Sequence, residues 1–523
     1  MARLYQIAVA VAALAALIAA FFASSFVQPT ESPAPPALGK NGTVLFFMNA
    51  EYGLSNVHLA TAGAIQEKYP CIDVHIASFP RTASKVTRAS DLARRKSPGV
   101  RDIHFHELPG PEYMKAFGAR TDGQPNSSRH IMHAPGTKGL NKLLSLLEAA
   151  ISPWEADDHI RIFQKAMEII DAVDPAIVVL DTAFKPTVDA TQHKNRLYAY
   201  LTPNILADAF FGDQPYGGMF WKYPRMGTGF SFPLPWWEIP QNVYITARYI
   251  YTLLNRPTFR ATRALLKEHG IPNLVTLARP DRPWISQDTP GASIPLEFIP
   301  PNVTRVGPIT VDDGPAMEQD PELASWLSEA PTILINLGSL FTYTEEQATT
   351  MALAIAGVLA KTNVQVLWKM AKETPYSDTG YTSPVRSDIE KGRLRITNWL
   401  SVSPVSILGT GHVVASVHHG GANCYHESIA AGTPQVIIPM WLDLYNYAQM
   451  VEDIGVGVYA TRGTAPEWTA ENLRDSFLRV IDGGEDSVRM RNTAKELGES
   501  ARKEPGRLVA AREIVQFARS GCA

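Results

Sequence analysis

Short apolar runs alternate with longer amphipathic stretches along most of the chain. Continuous apolar runs indicate strands that are buried on both faces of a parallel sheet, and helical stretches between them indicate βαβ units. Such strands are predicted over residues 44–48, 71–78 and 176–180 in the first half of the chain, and over 333–337, 364–369, 394–399, 413–417 and 435–440 in the second half. The pattern therefore predicts an α/β fold with two doubly wound, Rossmann-like domains in tandem.

Helical periodicity and loop composition place the domain boundaries. Helices are predicted over residues 57–68, 140–150, 158–173, 243–269, 344–361 and 402–408, and a group of them over 468–518. A stretch with Gly, Pro and several acidic residues precedes the second series of strands and has the composition of an interdomain linker. We expect an N-terminal domain over residues 41–310, a linker over 311–331, a second domain over 332–500 and a C-terminal helix over 501–523.

The N-terminus carries the clearest topological signal. Residues 4–22 are almost wholly apolar, a length that spans a bilayer, and residues 29–40 have the composition of an extended linker. Residues 1–28 are therefore predicted to be a single transmembrane anchor or, alternatively, a cleaved signal peptide. The positive flank at Arg3 predicts that the rest of the chain lies on the non-cytosolic side of the endoplasmic reticulum or another endomembrane.

Three tripeptides agree with that side of the membrane. Asn41, Asn126 and Asn302 each begin an N-glycosylation acceptor sequence. The sequence thus predicts a glycoprotein, although such tripeptides also occur often by chance.

Composition narrows the class of partner. The 523 residues include 48 Lys and Arg against 51 Asp and Glu, and a net charge of −3 gives no basis for nucleic-acid binding. The three cysteines, Cys71, Cys424 and Cys522, lie far apart and provide neither a disulfide framework nor the ligand spacing of a zinc site. The composition is that of a globular protein without a predicted metal site.

Residues 417–458 carry the strongest candidate for a binding site. His419 ends an apolar run, and Gly420-Gly421-Ala422-Asn423 then opens a predicted helix. A glycine turn at a helix N-terminus presents free backbone N–H groups and the positive end of the helix dipole, which suits an anionic phosphate. Glu427 inside the helix and Asp443 after the next strand can accept hydrogen bonds from the hydroxyls of a sugar or ribose.

Residues 204–240 stand apart because aromatic side chains are interleaved with Gly and Pro, a composition that excludes one regular helix. Three interpretations remain open. The aromatic residues anchor a loop on the domain, line an apolar acceptor pocket, or form a surface that enters the membrane interface. The pocket and the membrane surface do not exclude each other.

An ordered set of motifs then indicates a family. The motif residues are Trp399, His419-Gly420-Gly421, Asn423, Glu427 and Asp443. In this order they match the signature of the UDP-dependent glycosyltransferases of family 1, which the chain resembles over nearly its whole length after the N-terminal segment. The resemblance implies the GT-B fold, in which the active site lies between two Rossmann-like domains. It also implies a UDP-sugar as donor substrate and neither a metal nor another cofactor.

The resemblance assigns roles on the donor side. Trp399 would stack on the uracil ring. His419, together with the N–H groups at Gly421 and Asn423, would hold the diphosphate, which Gly338-Ser339 would approach from another strand end. Family members thus bind the nucleotide mainly through one half of the chain.

The same resemblance places Glu427 on the ribose hydroxyls and Asp443 on hydroxyls of the donor sugar. The family has a Gln directly after this Asp, whereas this chain has Leu444. The loss of that polar contact leaves the identity of the sugar open.

The N-terminal half departs from the family at the expected catalytic base. The family uses a His in the loop after the first strand, oriented by an Asp at the end of a later strand. Asp181, which follows the run 176–180, matches that Asp, but Leu54 stands where the His is expected. His58 lies four residues further on and would share a helix face with Leu54, so we expect His58 to be the base and Asp181 to stabilise its imidazolium.

Together these inferences predict a membrane-anchored hexosyltransferase of inverting type, which moves a sugar from a UDP-sugar to a hydroxyl of a lipophilic small molecule or lipid. Leu54 and Leu444 keep a second interpretation open, a sugar-nucleotide-binding protein that has lost catalysis. A third interpretation, a nucleotide-linked oxidoreductase, lacks support because residues 49–53 contain a single glycine instead of a G-x-G-x-x-G pattern.

Overall fold

The computed structural model describes residues 35–37, 39–121, 128–255, 257–271 and 282–520. Within these ranges the strands form two sheets, and every strand pair in both sheets is parallel. The first sheet has the order β3-β2-β1-β4-β5-β6-β7 and comprises β1 (Lys40–Phe47), β2 (Asp73–Ser78), β3 (His104–Glu107), β4 (Pro175–Asp181), β5 (Tyr198–Thr202), β6 (Trp284–Ser286) and β7 (Val303–Arg305). The second has the order β10-β9-β8-β11-β12-β13 and comprises β8 (Thr332–Asn336), β9 (Gln365–Lys369), β10 (Leu394–Thr397), β11 (Val413–His418), β12 (Gln435–Ile437) and β13 (Gly457–Tyr459).

Helices connect the strands and cover both sheets. The helices of the first half are α1 (Tyr52–Lys68), α2 (Ala83–Lys96), α3 (Tyr113–Arg120), α4 (Gly136–Ile151), α5 (Ala156–Val173), α6 (Lys185–His193), α7 (Leu206–Phe210), α8 (Gly218–Trp221), α9 (Ile239–Asn255) and α10 (Pro257–Glu268). The helices of the second half are α11 (Ala316–Gln319), α12 (Pro321–Glu329), α13 (Glu345–Leu359), α14 (Asp378–Thr382), α15 (Arg386–Glu390), α16 (Pro404–Leu408), α17 (Ala422–Ala431), α18 (Leu444–Ile454), α19 (Ala470–Ile481), α20 (Glu485–Lys503) and α21 (Gly506–Ser520).

Alternation along β1 explains why the first sheet is buried on both faces. Val44 and Phe46 pack in one hydrophobic cluster, while Leu45 and Phe47 pack in another. Successive side chains of a strand point to opposite faces, so an uninterrupted apolar run supplies both clusters at once. The apolar runs of the sequence therefore correspond to strands with a helical layer on each side.

The second sheet follows the same rule. Ile333 and Ile335 of β8 belong to one cluster, and Leu334 belongs to the cluster on the other face. The helix after β8 starts at a capping box, in which Thr344 and Gln347 exchange hydrogen bonds between side chain and backbone N–H. Such a box satisfies two of the free N–H groups of a helix start, and an N-cap side chain contributes about 1 kcal/mol.

The last helix, α21, packs on the first sheet rather than the second. Ile514 and Ala518 are fully buried in the cluster that covers β1. Arg507, near the start of α21, forms ion pairs with Glu67 of α1 at 2.8 Å and with Asp312 at 2.7 Å. The predicted C-terminal helix thus returns to the N-terminal sheet and holds the two halves together.

The observed elements differ from the predicted ones at several places. The helix after β1 begins at Tyr52 instead of residue 57, which shortens the loop. The sequence pattern does not predict β5, β6 and β7, of which the last two are only three residues long and too short to show a period. The predicted helix over 243–269 is divided into α9 and α10, and Pro257 begins the second helix, because proline cannot donate the hydrogen bond of a helix interior.

The predicted N-terminal anchor, residues 1–28, and the predicted acceptor Asn126 lie outside the described residues. Of the helices in the described ranges, none is long and apolar enough to cross a bilayer. Asn41 and Asn302, the other two predicted acceptors, are exposed.

Candidate active site

A cleft with a volume of about 820 Å³ is lined by residues that follow the carboxyl ends of strands from both sheets. This is the edge at which doubly wound sheets bind ligands. The wall includes the predicted donor-site residues Gly338, Ser339, Trp399, His419, Gly421, Asn423, Glu427 and Asp443. The structure therefore brings these distant positions to one place and faces them with residues of the first domain.

His419 fills the space between two glycines. A Cβ atom added at Gly338 would lie 2.6 Å from Cε1 of His419, and one added at Gly421 would lie 2.6 Å from its Nε2. Gly338 also has a φ of +87°, a conformation that other residues rarely adopt. Burial, with smaller contributions from His418 and Lys369, lowers the pKa of His419 to about 3, so its ring is neutral without a ligand. Both glycines are thus needed to place the imidazole beside the helix start.

The neighbouring His418 faces the sheet and fixes the turn. Its Nδ1 accepts a hydrogen bond from the N–H of Gly420 at 3.1 Å, and its Nε2 therefore donates to Oε1 of Gln435 at 2.8 Å. A Cβ atom at Gly420 would lie 2.9 Å from Cγ2 of Ile437 and 3.0 Å from the carbonyl oxygen of Leu444. Gly420 is absent from the cleft wall, so among the described residues its role is to let the turn pass close to β12 and α18.

The ring of Trp399, in the cleft wall, contacts two other side chains. Nζ of Lys369 lies 4.2 Å from a ring centroid of Trp399 and donates a hydrogen bond to the carbonyl of Gly338 at 2.7 Å. The ring of Tyr52, from the opposite domain, lies 5.7 Å away. Lys369 ends β9, and burial lowers its pKa to about 8. No sequence motif marks this lysine, but its position at a strand end is a signal that could have found it.

Asn423 bridges the two domains. Its amide nitrogen donates to the carbonyls of Tyr52 at 3.2 Å and Gly53 at 3.3 Å, and its amide oxygen accepts from Nε2 of Gln287 at 3.1 Å. Asn423, whose backbone N–H is predicted to hold the diphosphate, therefore also ties the start of α1 to the start of α17 through its side chain.

The two predicted hydroxyl-binding acids are partly buried carboxyls in the cleft wall. Burial, and to a lesser extent Asp313, raises the pKa of Glu427 to about 8. Burial also raises the pKa of Asp443 to about 6. Asp443 precedes α18 without capping it through its side chain, so its carboxylate remains available to a ligand. Leu444, in the place of the expected Gln, is buried at the first position of that helix.

The structure places His58, the predicted base, in the core and not in the cleft wall. Leu54 lines the cleft, whereas His58 is fully buried and its ring packs against Phe46 of β1, with 6.1 Å between ring centroids. Burial lowers the pKa of His58 to about 3. Residues four apart share a helix face but lie about 6 Å apart along the axis. That one turn takes His58 from the cleft edge into the core.

Asp181 has found a different partner. Its carboxylate accepts hydrogen bonds from the side chain of Asn49 at 2.9 Å and from the N–H of Ala183 at 2.8 Å. In the described part of the chain no hydrogen bond or ion pair joins Asp181 to His58. Burial raises the pKa of Asp181 to about 6. Asp181 thus joins the loops after β1 and β4, and the expected His–Asp pair is not formed.

Sequence reasoning missed Asp208, a cleft residue at the start of the aromatic segment. Its Oδ2 accepts hydrogen bonds from Nδ2 of Asn204 at 3.1 Å and from the hydroxyl of Tyr447 at 3.3 Å. Burial and the nearby Asp443 raise the pKa of Asp208 to about 7. Asn204 also stabilises the charged form of Asp443 by hydrogen bonding. The two carboxyls therefore share one environment, although they come from opposite domains.

A second missed carboxyl is Glu51, just before α1. Its Oε1 accepts a hydrogen bond from the N–H of Met114 at 2.9 Å, while its Oε2 is buried without a partner among the described residues. Burial raises the pKa of Glu51. It lines the cleft on the side of α3.

The aromatic side chains of segment 204–240 lie in different environments, and these correspond to different interpretations of the segment. Phe210 and Phe220 are buried and anchor the segment on the domain, and Phe211 lines the cleft. Trp236 and Trp237 are 77% and 64% exposed, with ring centroids 5.8 Å apart. Anchoring and cleft lining are thus both observed, and contact with a membrane stays a prediction.

No group of three or more His, Cys, Asp or Glu side chains in the described residues is arranged to hold a metal ion.

Comparison with known proteins gives a consistent result. The sequence profile of the family described as "UDP-glucoronosyl and UDP-glucosyl transferase" matches residues 281–491. Glycosyltransferase sdnJ of Sordaria araneosa is 33% identical over 508 residues, which cover 91% of this chain and 98% of that protein. The 2-hydroxyacylsphingosine 1-beta-galactosyltransferase of Mus musculus is 26% identical over 269 residues, which cover 50% of this chain and 44% of that protein.

A solved structure extends the likeness to the whole fold. A UDP-glucosyltransferase from Polygonum tinctorium, in complex with 3,4-dichloroaniline, superposes with a TM-score of 0.58 at 16% identity and covers 93% of this chain and 99% of its own. At that identity the match establishes the arrangement of two domains around one cleft.

Proposed function

The chain belongs to the UDP-dependent glycosyltransferases of family 1 and has their GT-B fold, and from this premise we propose that it moves a hexose from a UDP-sugar to a hydroxyl of a lipophilic small molecule or lipid, with inversion. The family membership makes the chain an enzyme that uses a UDP-sugar donor and needs no separate cofactor. One observation carries the proposal further. A single cleft combines a glycine turn suited to a diphosphate with an opposing wall that is largely apolar and contains an ionisable carboxyl.

On the donor side, the proposed work is electrostatic. The N–H groups at the start of α17 and the neutral ring of His419 donate hydrogen bonds to the diphosphate, on which negative charge grows as the bond to the sugar breaks. Trp399 offers its ring to the uracil, and Glu427 and Asp443 accept hydrogen bonds from ribose and sugar hydroxyls. UDP then leaves with the bonding electrons.

On the acceptor side, we assign the base to Asp208. Its carboxylate removes the proton of the acceptor hydroxyl while that oxygen forms its bond to the anomeric carbon, on the face opposite UDP. A base with a pKa near the working pH is both ionised and basic enough to be effective. Asp208 fits this requirement and adjoins Asp443, the residue proposed to hold the sugar.

The acceptor is proposed to be lipophilic because the first domain lines the cleft with apolar side chains. They include Leu54, Leu147, Ile151, Phe211, Met226 and Leu253. The mouse relative is named for a sphingolipid acceptor. The predicted N-terminal anchor would bring such a cleft close to a membrane and remains part of the proposal.

The test is transfer by the purified full-length protein. UDP-glucose, UDP-galactose and UDP-glucuronic acid are offered with sterols, sphingolipids and hydroxylated small molecules, and UDP release and product are followed by mass spectrometry. We expect a glycoside whose anomeric configuration, determined by NMR, is opposite to that of the donor. Tight UDP binding without hydrolysis or transfer to any acceptor would establish the non-catalytic alternative instead, and a product with retained configuration would exclude the proposed mechanism.

A further inference from the structure

Arg225 lies in the cleft wall between α8 and α9, where its guanidinium packs against two aromatic rings. Its Cζ atom is 4.6 Å from the ring centroid of Phe211 and 4.0 Å from that of Tyr249. Its backbone is fixed, because the N–H donates to Oδ1 of Asn242 at 2.8 Å and the carbonyl accepts from Nδ2 of Asn446 at 3.2 Å. Groups from both domains therefore hold this cation at a defined place.

The charge of Arg225 has no carboxylate partner in the described part of the chain. Arg305, by comparison, pairs with Asp288 at 2.6 Å. The Nε–H of Arg225 is buried and has no acceptor among the described residues. Burial lowers the pKa of the guanidinium, yet an arginine stays charged at physiological pH. An uncompensated buried charge is unfavourable for a folded protein. We therefore expect its counter-ion to arrive with a ligand.

The geometry favours a planar anion. The rings of Phe211 and Tyr249 lie against the guanidinium, and the side chain of Tyr249 also takes one hydrogen bond from it. The other N–H groups at the edge of the guanidinium are left as donors. Two parallel N–H donors match the two oxygens of a carboxylate, and such paired hydrogen bonds are the strong ones.

The surroundings indicate which molecule carries that carboxylate. Tyr223, Pro224, Met226 and Leu253 line the same wall. The glycine turn proposed to hold the diphosphate belongs to the other domain. Resting on the proposed function, we propose that Arg225 is the carboxylate-binding subsite of the acceptor cavity, and that the preferred acceptors are lipophilic hydroxy acids.

A carboxylate could also come from a uronic acid on the donor. The apolar wall around Arg225 favours the acceptor, because a sugar presents hydroxyls over most of its surface and gains little from such a wall. The acceptor and the donor sugar are thus two possible sources of the carboxylate, so the experiment offers a carboxylate on only one of the two substrates at a time.

The probes are two hydroxy acids, lithocholic acid and 16-hydroxyhexadecanoic acid, and the methyl ester of each. Each ester keeps the hydroxyl and the apolar body and removes only the negative charge. With UDP-glucose as donor, we expect wild-type kcat/KM to favour each acid over its ester by ~10–100-fold, the range of a charge-assisted hydrogen bond. In Arg225→Gln this preference should fall to about one, mainly through KM, and Arg225→Lys should keep part of it.

Arg248→Gln is the matched control. Arg248 is partly exposed on α9 and does not line the cleft. Its Nη1 donates to the hydroxyl of Tyr244 at 2.8 Å and its Nη2 donates to Oδ1 of Asn141 at 3.3 Å. This variant removes one positive charge from a nearby helix and should keep the wild-type preference for each acid over its ester.

Thermal unfolding separates a ligand-binding arginine from a structural one. Arg225→Gln should melt at the wild-type temperature or above it, since the empty protein loses an unpaired charge.

Three results would overturn the subsite. The first is an acid preference that persists in Arg225→Gln, and the second is calorimetry in which no acid binds the UDP-bound protein better than its ester. The third is a defect of Arg225→Gln with UDP-glucuronic acid but not with UDP-glucose, which would assign the carboxylate to the donor. Failure of the proposed function looks different. In that case the acids bind through Arg225 in calorimetry, but no sugar is transferred to acid or ester.

Discussion

The two walls of the cleft are assembled in different ways. The central part of the donor wall is local, because β11, α17 and β12 follow one another and carry the glycine turn, His419, Asn423 and Glu427 within a short stretch. The acceptor wall is made of loops that are far apart in the chain, after β1, after β5 and between α8 and α9. A local wall appears in the sequence as a motif, whereas a dispersed wall appears as unrelated residues.

The two walls also differ in what binds the ligand. The donor wall relies on backbone N–H groups and on glycines that make room for one imidazole. The acceptor wall is proposed to rely on side chains, among them Asp208 and Arg225, and a side chain can be replaced without moving the backbone of its strand or helix. This difference explains how Leu54 can replace the family's histidine while the fold and the donor wall stay recognisable. The variants below probe each wall in turn.

Asp208→Asn tests the chemistry of the acceptor wall. Asparagine keeps the shape and can still hydrogen bond, but it cannot take a proton. We expect kcat to fall by ~10²–10⁴-fold, the usual contribution of general base catalysis, while UDP binding is retained. Steady-state kinetics with the best donor and acceptor measure the loss. Because the base must be ionised, wild-type kcat/KM should rise with pH through about 7, and the residual activity of the variant should lack this rise.

The same carboxyl predicts a change in stability with pH. The folded pKa of Asp208 lies near 7, above the ordinary value of 3.8, so its stabilising contribution is present below about pH 4 and is lost as pH rises through 7. Asp443 and Asp288 add negative charge nearby, and Tyr447 donates a hydrogen bond. Asp208→Asn should therefore lose less stability than wild type between those pH values.

Glu51→Gln is the control for the kinetic prediction, and a larger kcat defect in Glu51→Gln than in Asp208→Asn would move the base to Glu51.

Gly421→Ala tests the donor wall. The φ of −62° is comfortable for alanine, so the backbone is not strained, but the new Cβ would lie 2.6 Å from the ring of His419. Gly338 blocks the other side of that ring, and the ring must leave its place. We expect UDP to bind ~10–100-fold more weakly, as measured by calorimetry, which corresponds to the loss of a hydrogen bond to a charged group.

Gly63→Ala is the matched control for that variant. Gly63 lies in α1, and an added Cβ there meets no atom within 4 Å. It should bind UDP as wild type does. Unchanged affinity in a folded Gly421→Ala would show that the position of His419 does not matter for the diphosphate.

His58→Leu is expected to have the smallest effect and separates the core from the acceptor wall. Leucine has a similar volume. Neither ring nitrogen of His58 has a partner at good hydrogen-bond geometry among the described residues, and the backbone of Leu201 gives it only a minor polar contact. We expect kcat within about twofold of wild type and a free energy of unfolding that is unchanged or higher by up to ~1–3 kcal/mol, the cost of an unsatisfied buried polar group. Kinetics and chemical denaturation measure the two quantities.

The pH dependence of stability gives a second readout for this variant. Folded His58 has a pKa of about 3, below its ordinary value of 6.5, so wild type loses stability as pH falls below 6.5 and the unfolded chain takes up the proton. His58→Leu should lose less over that range. A kcat reduced a hundredfold in a folded His58→Leu protein would return the role of base to His58.

Much of the donor wall could be predicted before the fold was known. The strands around His419 are apolar runs, the turn is marked by glycines, and Glu427 and Asp443 follow at motif spacing. Lys369 was not predicted as a cleft residue because no sequence motif distinguishes it from other lysines at strand ends. The position of His58 could not be predicted, because residue spacing shows which face of a helix a side chain is on but not whether that part of the face lies in the cleft or in the core.

The sequence by itself determined two α/β domains and much of one wall of the cleft. Apolar periodicity and glycine turns are local patterns, which extend over only a few residues. Only the tertiary structure decided that α21 returns to the first sheet, that Asp181 pairs with Asn49, and that Asp208 meets Asp443 across the domains. Burial and Coulomb interactions depend on distance in space, and folding brings together groups that the chain keeps hundreds of residues apart. The chemistry of the acceptor wall therefore arises when the two domains face each other.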